Sequence, residues 1–220
     1  MPTLAEDLLL LLLDDDTGRL ITDGTSTDHA LAGAVLVDLV NAGRVAEEGG
    51  KLHVMDTALL DEPVLEAGLA RLAEKAPAKP QRAVEVMTKN VRETVLEALA
   101  GRGLIRQDKD RVLGLFPRRT WPAVDSAHED SVRADLTAAL VGGERATERA
   151  GALIALLHAI GVVPKVVQGD RKALKARAGE ISEGDWSGVA VRRAVRAVQA
   201  AVTAAAVVAS SGGSTGATGS

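Results

Sequence analysis

Apolar residues recur along most of the chain at intervals of three and four, the spacing that places them on one face of a helix. In residues 28–42, for example, Leu31, Val35, Leu39 and Val40 follow this spacing. Further helices are predicted over residues 3–14, 63–75, 81–100, 126–141, 147–160, 171–178 and 188–209. The pattern of apolar and polar positions therefore predicts a mainly α chain.

Two of these helices are followed by glycines and short apolar runs. Gly43 is placed to end the helix over 28–42, because glycine readily adopts the left-handed conformation found after helix C-termini. Residues 44–54 then predict a β-hairpin that turns at Gly49 and Gly50.

The same order of elements returns later in the chain. The long helix predicted over 81–100 is followed by Gly101 and Gly103, and residues 104–116 predict a second hairpin with its turn near 107–110. Prolines at both ends of 117–122 predict a break there. We interpret the recurrence as architecture and not as a solenoid repeat.

Two apolar runs are the candidates for membrane insertion. The run 8–13 consists of leucine but is too short to cross a bilayer, and Glu6 and Asp7 stand where a signal peptide needs positive charge. The run 197–209 is also too short. Both predict core helices, so any membrane contact is expected to be peripheral.

Composition narrows the class of protein. Hydrophobic residues make up 46% of the chain and charged residues 25%, which is ordinary for a globular domain. Cysteine is missing, which excludes disulfides and thiolate metal sites. We expect one domain over residues 1–209, followed by a disordered tail rich in Gly, Ser and Thr over 210–220.

Charge is unevenly distributed. The net charge is −4, with an acidic segment over residues 1–79 and a basic segment over 80–121. An acidic chain argues against a general nucleic-acid binder. The local basic segment remains compatible with a surface that carries phosphate.

No catalytic or metal-binding constellation is visible. The four histidines, His29, His53, His128 and His158, are scattered without the spacing of metal ligands. His158 lies in an apolar helix, which is typical of a core histidine. We therefore expect no enzymatic activity, no metal and no cofactor.

The strongest candidate site is a basic helix face. Arg82, Lys89 and Arg92 stand at i, i+7 and i+10, which places them within an arc of roughly 80° on a continuous helix. A phosphate monoester needs such donors, and arginine offers two in a planar fork. The alternative is a solvated face whose cations pair with glutamates one turn away, namely Glu85, Glu93 and Glu97.

A second basic cluster carries an aromatic ring. Arg118 and Arg119 stand close to Trp121, a combination found where proteins meet a membrane interface. The alternative is that Trp121 packs on the core. The polar segment 106–111 either pairs with a second copy of the chain or forms an ordinary exposed turn.

Several segments, in order, resemble the Golgi phosphoprotein 3 family. The resemblance spans residues 3–208, and its residues are these: Leu4, Glu6 and Leu8 at the start; Asp16, Gly18 and Leu20 in the next turn; Leu31, Gly33, Leu36, Leu39, Gly43 and Arg44; Asn90, Val91, Arg92 and Glu93 with Leu96, Leu99 and Gly103; and the apolar run 152–159. Their order and spacing carry the resemblance, not any single motif.

The resemblance implies a fold and a ligand. The fold would be mainly α, a single compact domain in which amphipathic helices ring an apolar helix bundle, with one or two small β-hairpins. Lys89 and Arg92 would hold the phosphate of phosphatidylinositol 4-phosphate, with Arg82 in support. Asp23 and Ala32 stand where the family has a tryptophan and an arginine. The hairpin 104–116 would mediate self-association or membrane contact.

These observations predict a cytoplasmic, non-enzymatic adaptor that docks reversibly on anionic lipid and binds an unidentified client protein. One alternative is a protein–protein scaffold that has lost lipid binding. The other is a winged-helix regulator of DNA, because helix, glycine and hairpin also make up that motif. A recognition helix is rich in basic residues, whereas 31–40 contains none. We therefore expect no nucleic-acid partner.

Overall fold

The leucine-rich start of the chain forms helix α1 (Leu4–Leu12), in which every residue is buried. A capping box begins this helix: Thr3 Oγ1 accepts a hydrogen bond from the Glu6 amide, and Glu6 Oε2 accepts one from the Thr3 amide. The computed structural model describes residues 2–15, 17–112, 116–184 and 189–211.

Nine further helices and two β-hairpins follow in the described part of the chain. The helices are α2 (Gly24–Asn41), α3 (Pro63–Ala73), α4 (Pro80–Met87), α5 (Val91–Gly101), α6 (Ala127–Leu140), α7 (Glu148–Ala159), α8 (Val163–Val166), α9 (Arg171–Glu183) and α10 (Val189–Ser211). The strands are β1 (Val45–Glu48), β2 (Lys51–Val54), β3 (Asp108–Val112) and β4 (Phe116–Thr120), paired antiparallel as β1–β2 and β3–β4.

Helix α2 lies at the centre of the bundle. It contacts α1, α3, α4, α5, α7 and α10. Gly33 allows the close approach of α10, because a Cβ at this position would lie 2.3 Å from Val198 Cγ2. The predicted architecture, an apolar helix bundle ringed by amphipathic helices with small hairpins, is confirmed. Residues 31–37 and 39 of α2 are buried, so this segment of the helix does not face a DNA groove.

The first hairpin forms where it was predicted. Val45 pairs with Val54 and Glu48 with Lys51, so the turn consists of Gly49 and Gly50. Both glycines have positive φ, at 59° and 79°. A two-residue hairpin turn of this kind requires positive φ at both positions, which explains the pair of glycines.

The second hairpin lies further along the chain than predicted. Residues 108–112 form β3, so the predicted turn near 107–110 is wrong. The residues that join the strands, 113–115, lie outside the described part. The predicted break over 117–122 begins later than expected, since Pro117 lies inside β4 and the strand ends at Thr120. A two-stranded ribbon tolerates this proline because each strand is an edge strand.

The predicted long helix over 81–100 is two helices. Helix α4 ends at Met87 and α5 begins at Val91, with Asn90 between them at φ 55° and ψ 16°. This is the left-handed conformation, which asparagine adopts more readily than most residues. The chain changes direction here, so the two halves of the predicted basic stripe belong to different helices.

Several helix boundaries differ from the prediction. Helix α2 begins at Gly24, four residues early, because Asp23 caps it by accepting a hydrogen bond of 2.8 Å from the Ser26 amide. The basic helix α9 extends to Glu183, and the short helix α8 was not predicted. Helix α10 continues to Ser211, within the predicted tail, and residues 212–220 lie outside the described part.

The first turn of α1 holds two buried carboxylates. Asp7, 1% exposed, is within 2.7 Å of both His128 Nε2 and Arg149 Nε. Glu6, fully buried, accepts a hydrogen bond of 2.7 Å from Arg102 Nε. These pairs join α1 to α5, α6 and α7. His128 is therefore a structural partner of Asp7.

No helix in the described part of the chain is both long and apolar enough to span a membrane.

Candidate functional site

The three basic residues predicted to share one helix face are distributed over two helices and a turn. Arg82 lies on α4, Lys89 in the turn before α5, and Arg92 in the first turn of α5. Arg82 is exposed and forms an ion pair of 3.2 Å with Glu85, the glutamate pairing that the alternative interpretation predicted. The prediction that these three cations share one face of a continuous helix is wrong, because the helix breaks at Asn90.

Arg92 lies over the beginning of α2. A Cβ on Gly24, the first residue of α2, would lie 2.5 Å from Arg92 Nη1, so the glycine makes room for the guanidinium. Among the described residues, its carboxylate partner is Asp28, with Asp28 Oδ1 3.6 Å from Arg92 Nε. This distance is too long for a good hydrogen bond. Among the described residues, Arg92 therefore keeps donors available for a ligand.

Burial disfavours the charged form of the Asp28 carboxyl group. Desolvation raises the pKa of its carboxyl group, and the Arg92 guanidinium only partly offsets this. Its Oδ1 has no hydrogen-bond partner in the described structure. Arg92 thus stands between a half-buried carboxylate and solvent, where an incoming phosphate would compete with Asp28 for the guanidinium.

Beside Arg92 lies a pocket of about 340 Å³. Its cationic lining comes from Arg92 and from Arg19, which was not predicted as a site residue. Its apolar lining comes from Leu9, Leu13, Leu20, Leu96 and Trp121. The pocket therefore combines two guanidinium groups with an apolar wall.

Trp121 is brought to this pocket by a contact with a residue distant in sequence. The Trp121 amide donates a hydrogen bond of 3.0 Å to the Gly18 carbonyl. Gly18 has φ 60°, and a Cβ there would lie 2.5 Å from Trp121 N and C. Only glycine fits this turn without strain. The ring packs partly on the core, as one interpretation predicted, and also lines the pocket.

The other predicted contact residues are less well defined. Arg118 and Arg119 lie in β4, paired with Asp110 and Lys109, and their side chains are outside the described part. Lys89 is exposed, with no ion pair or hydrogen bond to another described side chain. Trp121 and Arg92 are therefore the two predicted residues that the fold brings to one pocket.

Arg19 carried no signal that sequence reasoning could use. It follows the turn at Asp14–Gly18, where a lone arginine is unremarkable. The turn directs it toward the pocket, since the Asp14 amide donates a hydrogen bond of 2.7 Å to the Arg19 carbonyl. Its side chain is exposed and has no charged partner among the described residues.

The two family positions with other residues have distinct structural roles. Ala32 is fully buried within α2. Asp23 caps α2; burial opposes its ionisation, but hydrogen bonds led by the Ser26 amide outweigh this and lower the pKa of Asp23. Its negative charge lies at the helix N-terminus, where an anion would otherwise be attracted.

A second cavity, of about 500 Å³, also has cations in its wall, but both are engaged. Arg133 pairs closely with the buried Glu129 and donates a hydrogen bond of 2.7 Å to the Val166 carbonyl. Lys165 donates one of 2.7 Å to the Ile21 carbonyl. These cations hold the fold together, in contrast to Arg19 and Arg92.

His158 lies at the end of α7 beside a cavity of about 380 Å³. It is half-buried, less so than a core histidine was expected to be. Burial, together with the ammonium group of Lys175, lowers its pKa. Within the described residues, no three His, Asp or Glu side chains are grouped to hold a metal ion.

Comparison with known proteins gives a family assignment. The model of the Golgi phosphoprotein 3 (GPP34) family matches residues 4–198, nearly the whole described domain. No curated protein matches this chain significantly. The family match covers both sides of the pocket, from α1 and Arg19 to Trp121 and beyond. The chain belongs to the Golgi phosphoprotein 3 family.

Proposed function

We propose that this protein is a non-enzymatic peripheral membrane adaptor that binds anionic lipid headgroups through Arg92, Arg19 and Lys89. The observation that carries the proposal is the pair of arginines beside one pocket, both with donors that the described residues leave available. Phosphatidylinositol 4-phosphate is the headgroup that the family resemblance suggests. Docking would be reversible and would take place on the cytoplasmic side of a membrane.

The electrostatics favour a surface interaction. Each cation near an anionic membrane contributes about 1 kcal/mol, and the contribution decays within a Debye length of about 8 Å at physiological salt. Trp121 and, in β4, Arg118 and Arg119 support this surface. Arg82 contributes less, because Glu85 already neutralises it. Binding should therefore weaken as salt concentration rises.

Self-association belongs to the same proposal. The hairpin β3–β4 is a two-stranded sheet, and within the described residues each strand pairs only with the other. An outer edge of this kind can pair with a second copy of the chain. A client protein would then be held at a membrane by an oligomer of adaptors.

The test is co-sedimentation with vesicles of neutral lipid alone, of neutral lipid with phosphatidylserine, and of neutral lipid with phosphatidylinositol 4-phosphate. The main variant is Arg19→Ala/Lys89→Ala, because both side chains are exposed and without charged partners in the described structure. It should weaken binding about 30-fold, at 1 kcal/mol for each charge. Arg92→Lys keeps the charge beside Asp28 but removes the fork, and should weaken phosphoinositide binding more than phosphatidylserine binding.

A matched control removes two exposed cations elsewhere, as Arg145→Ala/Lys172→Ala. It should pellet with anionic vesicles nearly as the wild type does. If both double variants lose binding equally, net charge and not this site governs docking. If the wild type ignores every vesicle, the proposal fails and the protein–protein scaffold becomes the better hypothesis.

A further inference from the structure

The cavity of about 380 Å³ between α7, α9 and α10 is a second candidate site. It shares no lining residue with the pocket beside Arg92. Its volume lies within the usual range for small-ligand sites, which is about 300–1,000 Å³. Its polar lining consists of His158 on α7, Ser182 and Glu183 on α9, and Arg192, Arg196 and Gln199 on α10. The three residues on α10 stand at i, i+4 and i+7, so they share one face of that helix.

A glycine inside a helix leaves room in this cavity. Gly179 lines it from the interior of α9, where glycine stabilises a helix less than alanine does. A Cβ at this position would lie 3.8 Å from His158 Nε2, which is an ordinary van der Waals contact. Packing therefore permits alanine here, and the helix would be more stable with it. A side chain at this position would, however, occupy space between α9 and the His158 ring.

Positive charge predominates around the cavity. Two guanidinium groups, of Arg192 and Arg196, line it with one carboxylate. Burial lowers the pKa of His158, and the ammonium group of Lys175 adds to this against the opposing charge of Glu183. Arg196 is exposed and makes no hydrogen bond or ion pair with another described residue. An anion that enters the cavity would therefore meet an available planar fork of donors.

The rest of the polar lining suits hydroxyl groups. Ser182 Oγ donates a hydrogen bond of 2.6 Å to the Ala178 carbonyl, so its lone pairs are left to accept one. The Glu183 carboxylate only accepts hydrogen bonds, and the Gln199 amide both donates and accepts them. A bare anion would be repelled by Glu183, whereas the hydroxyl groups of a larger ligand would donate to it. The lining therefore favours a ligand that carries both an anionic group and hydroxyl groups.

We propose that this cavity binds a soluble phosphate ester that carries hydroxyl groups, with its phosphate on Arg196 and its hydroxyl groups on Glu183 and Gln199. A soluble ligand is favoured over a lipid by the surroundings of the cavity. The large apolar side chains that are exposed in the described structure, at positions 55, 59, 124 and 141, lie outside α7, α9 and α10. The site is separate from the proposed membrane-docking surface, so either can exist without the other.

Isothermal titration calorimetry tests this proposal with glucose 6-phosphate as the probe and with inorganic phosphate and glucose as controls. We expect one saturable site for glucose 6-phosphate and binding at least about tenfold weaker for each control, because each control offers only part of the contacts. Arg196→Gln should weaken binding about 10- to 100-fold, since it removes charge-assisted hydrogen bonds. Arg171→Gln removes an exposed cation of α9 that does not line the cavity, and should leave the affinity nearly unchanged.

Gly179→Leu fills the cavity without a change of charge. It should abolish binding while urea denaturation shows a stability no lower than that of the wild type, because leucine is the better helix former. NMR of the His158 ring proton, assigned from its absence in His158→Gln, gives an independent readout. A bound phosphate should raise the pKa of His158. Lys175, Glu183 and the two cavity arginines face the ring with and without ligand, so the change reports the phosphate.

Three results would overturn the inference: no saturable heat with glucose 6-phosphate, equal affinity for either control, or equal losses in Arg196→Gln and Arg171→Gln. The inference also fails if soluble esters do not bind and Arg196→Gln weakens binding to phosphatidylinositol 4-phosphate vesicles, since the cavity would then belong to the membrane surface. Vesicle binding by Arg19→Ala/Lys89→Ala tests the proposed function separately, because neither residue lines this cavity.

Discussion

Arg92 Nε lies 3.6 Å from Asp28 Oδ1, and the two side chains are 27% and 26% exposed. The carboxylate oxygen has no hydrogen bond in the described structure, and burial raises the pKa of Asp28. The two charged groups are thus far apart for an ion pair and partly shielded from water, and the carboxylate oxygen lacks a hydrogen bond. The pair holds the guanidinium at the start of α2 without consuming its hydrogen-bonding capacity.

The first prediction concerns this pair. Asp28→Asn should strengthen binding to anionic vesicles several-fold, because the neutral amide no longer competes with lipid phosphate for Arg92. Co-sedimentation at fixed salt measures the change. Asp61→Asn, which neutralises an exposed carboxylate elsewhere, is the matched control. Equal gains in the two variants would show that total charge, and not release of Arg92, is responsible.

The second prediction concerns Gly18. Gly43 has a similar φ of 68° but open space around it, so Gly43→Ala should cost about 1 kcal/mol of unfolding free energy from backbone strain alone. Gly18→Ala adds a clash with the backbone at Trp121 and should cost about 1–3 kcal/mol more. Urea denaturation measures both. Equal costs would mean that the chain at Trp121 moves away freely, and Trp121 fluorescence would then differ in Gly18→Ala.

The third prediction concerns pH. Burial raises the pKa of Asp38 to about 6, although a hydrogen bond of 2.7 Å from the Leu4 amide favours the charged form. A carboxyl group with a raised folded-state pKa stabilises the fold below its unfolded pKa, and that stability is lost as pH rises through the folded pKa. The unfolding free energy of the wild type should therefore fall between about pH 4 and about pH 6 relative to that of Asp38→Asn. Parallel pH profiles for the two proteins would contradict this expectation.

Glu129 extends the same behaviour to higher pH. Burial and the nearby Asp15 carboxylate raise its pKa to about 7, against the opposing charge of Arg133. Comparison of the wild type with Glu129→Gln should show a loss of stability that continues to about pH 7. The difference between the two profiles isolates this group from the other carboxylates.

The fourth prediction concerns the buried carboxylates at the start of α1. Arg149→Ala leaves Asp7 with His128 as its side-chain partner in the described structure, and should cost about 3–5 kcal/mol because the buried Asp7 carboxylate loses its arginine partner. Arg82→Ala removes an exposed pair and should cost about 0–1 kcal/mol. Chemical denaturation of both variants measures the contrast. Similar costs would show that water reaches Asp7 when Arg149 is removed.

The sequence by itself determined the features that depend on local rules. The capping box at Thr3 and Glu6, the hairpin turn at Gly49 and Gly50, and most helices were predictable, because each depends on neighbouring residues and on a repeat of 3.6 positions. The family resemblance added the architecture. The second hairpin lies later in the chain than predicted, which shows the limit of such rules. Pro117 indicates a break in the sequence but is tolerated in an edge strand.

Only the tertiary structure decided the site. Asn90 splits the predicted basic helix, and nothing local distinguishes a left-handed asparagine from a helical one. Arg19 and Arg92 flank one pocket because Gly18 packs against Trp121, a contact between residues distant in sequence. Periodicity places residues on faces of a helix, whereas a pocket arises where faces of several helices meet. That meeting is set by packing of the whole core, which no local pattern records.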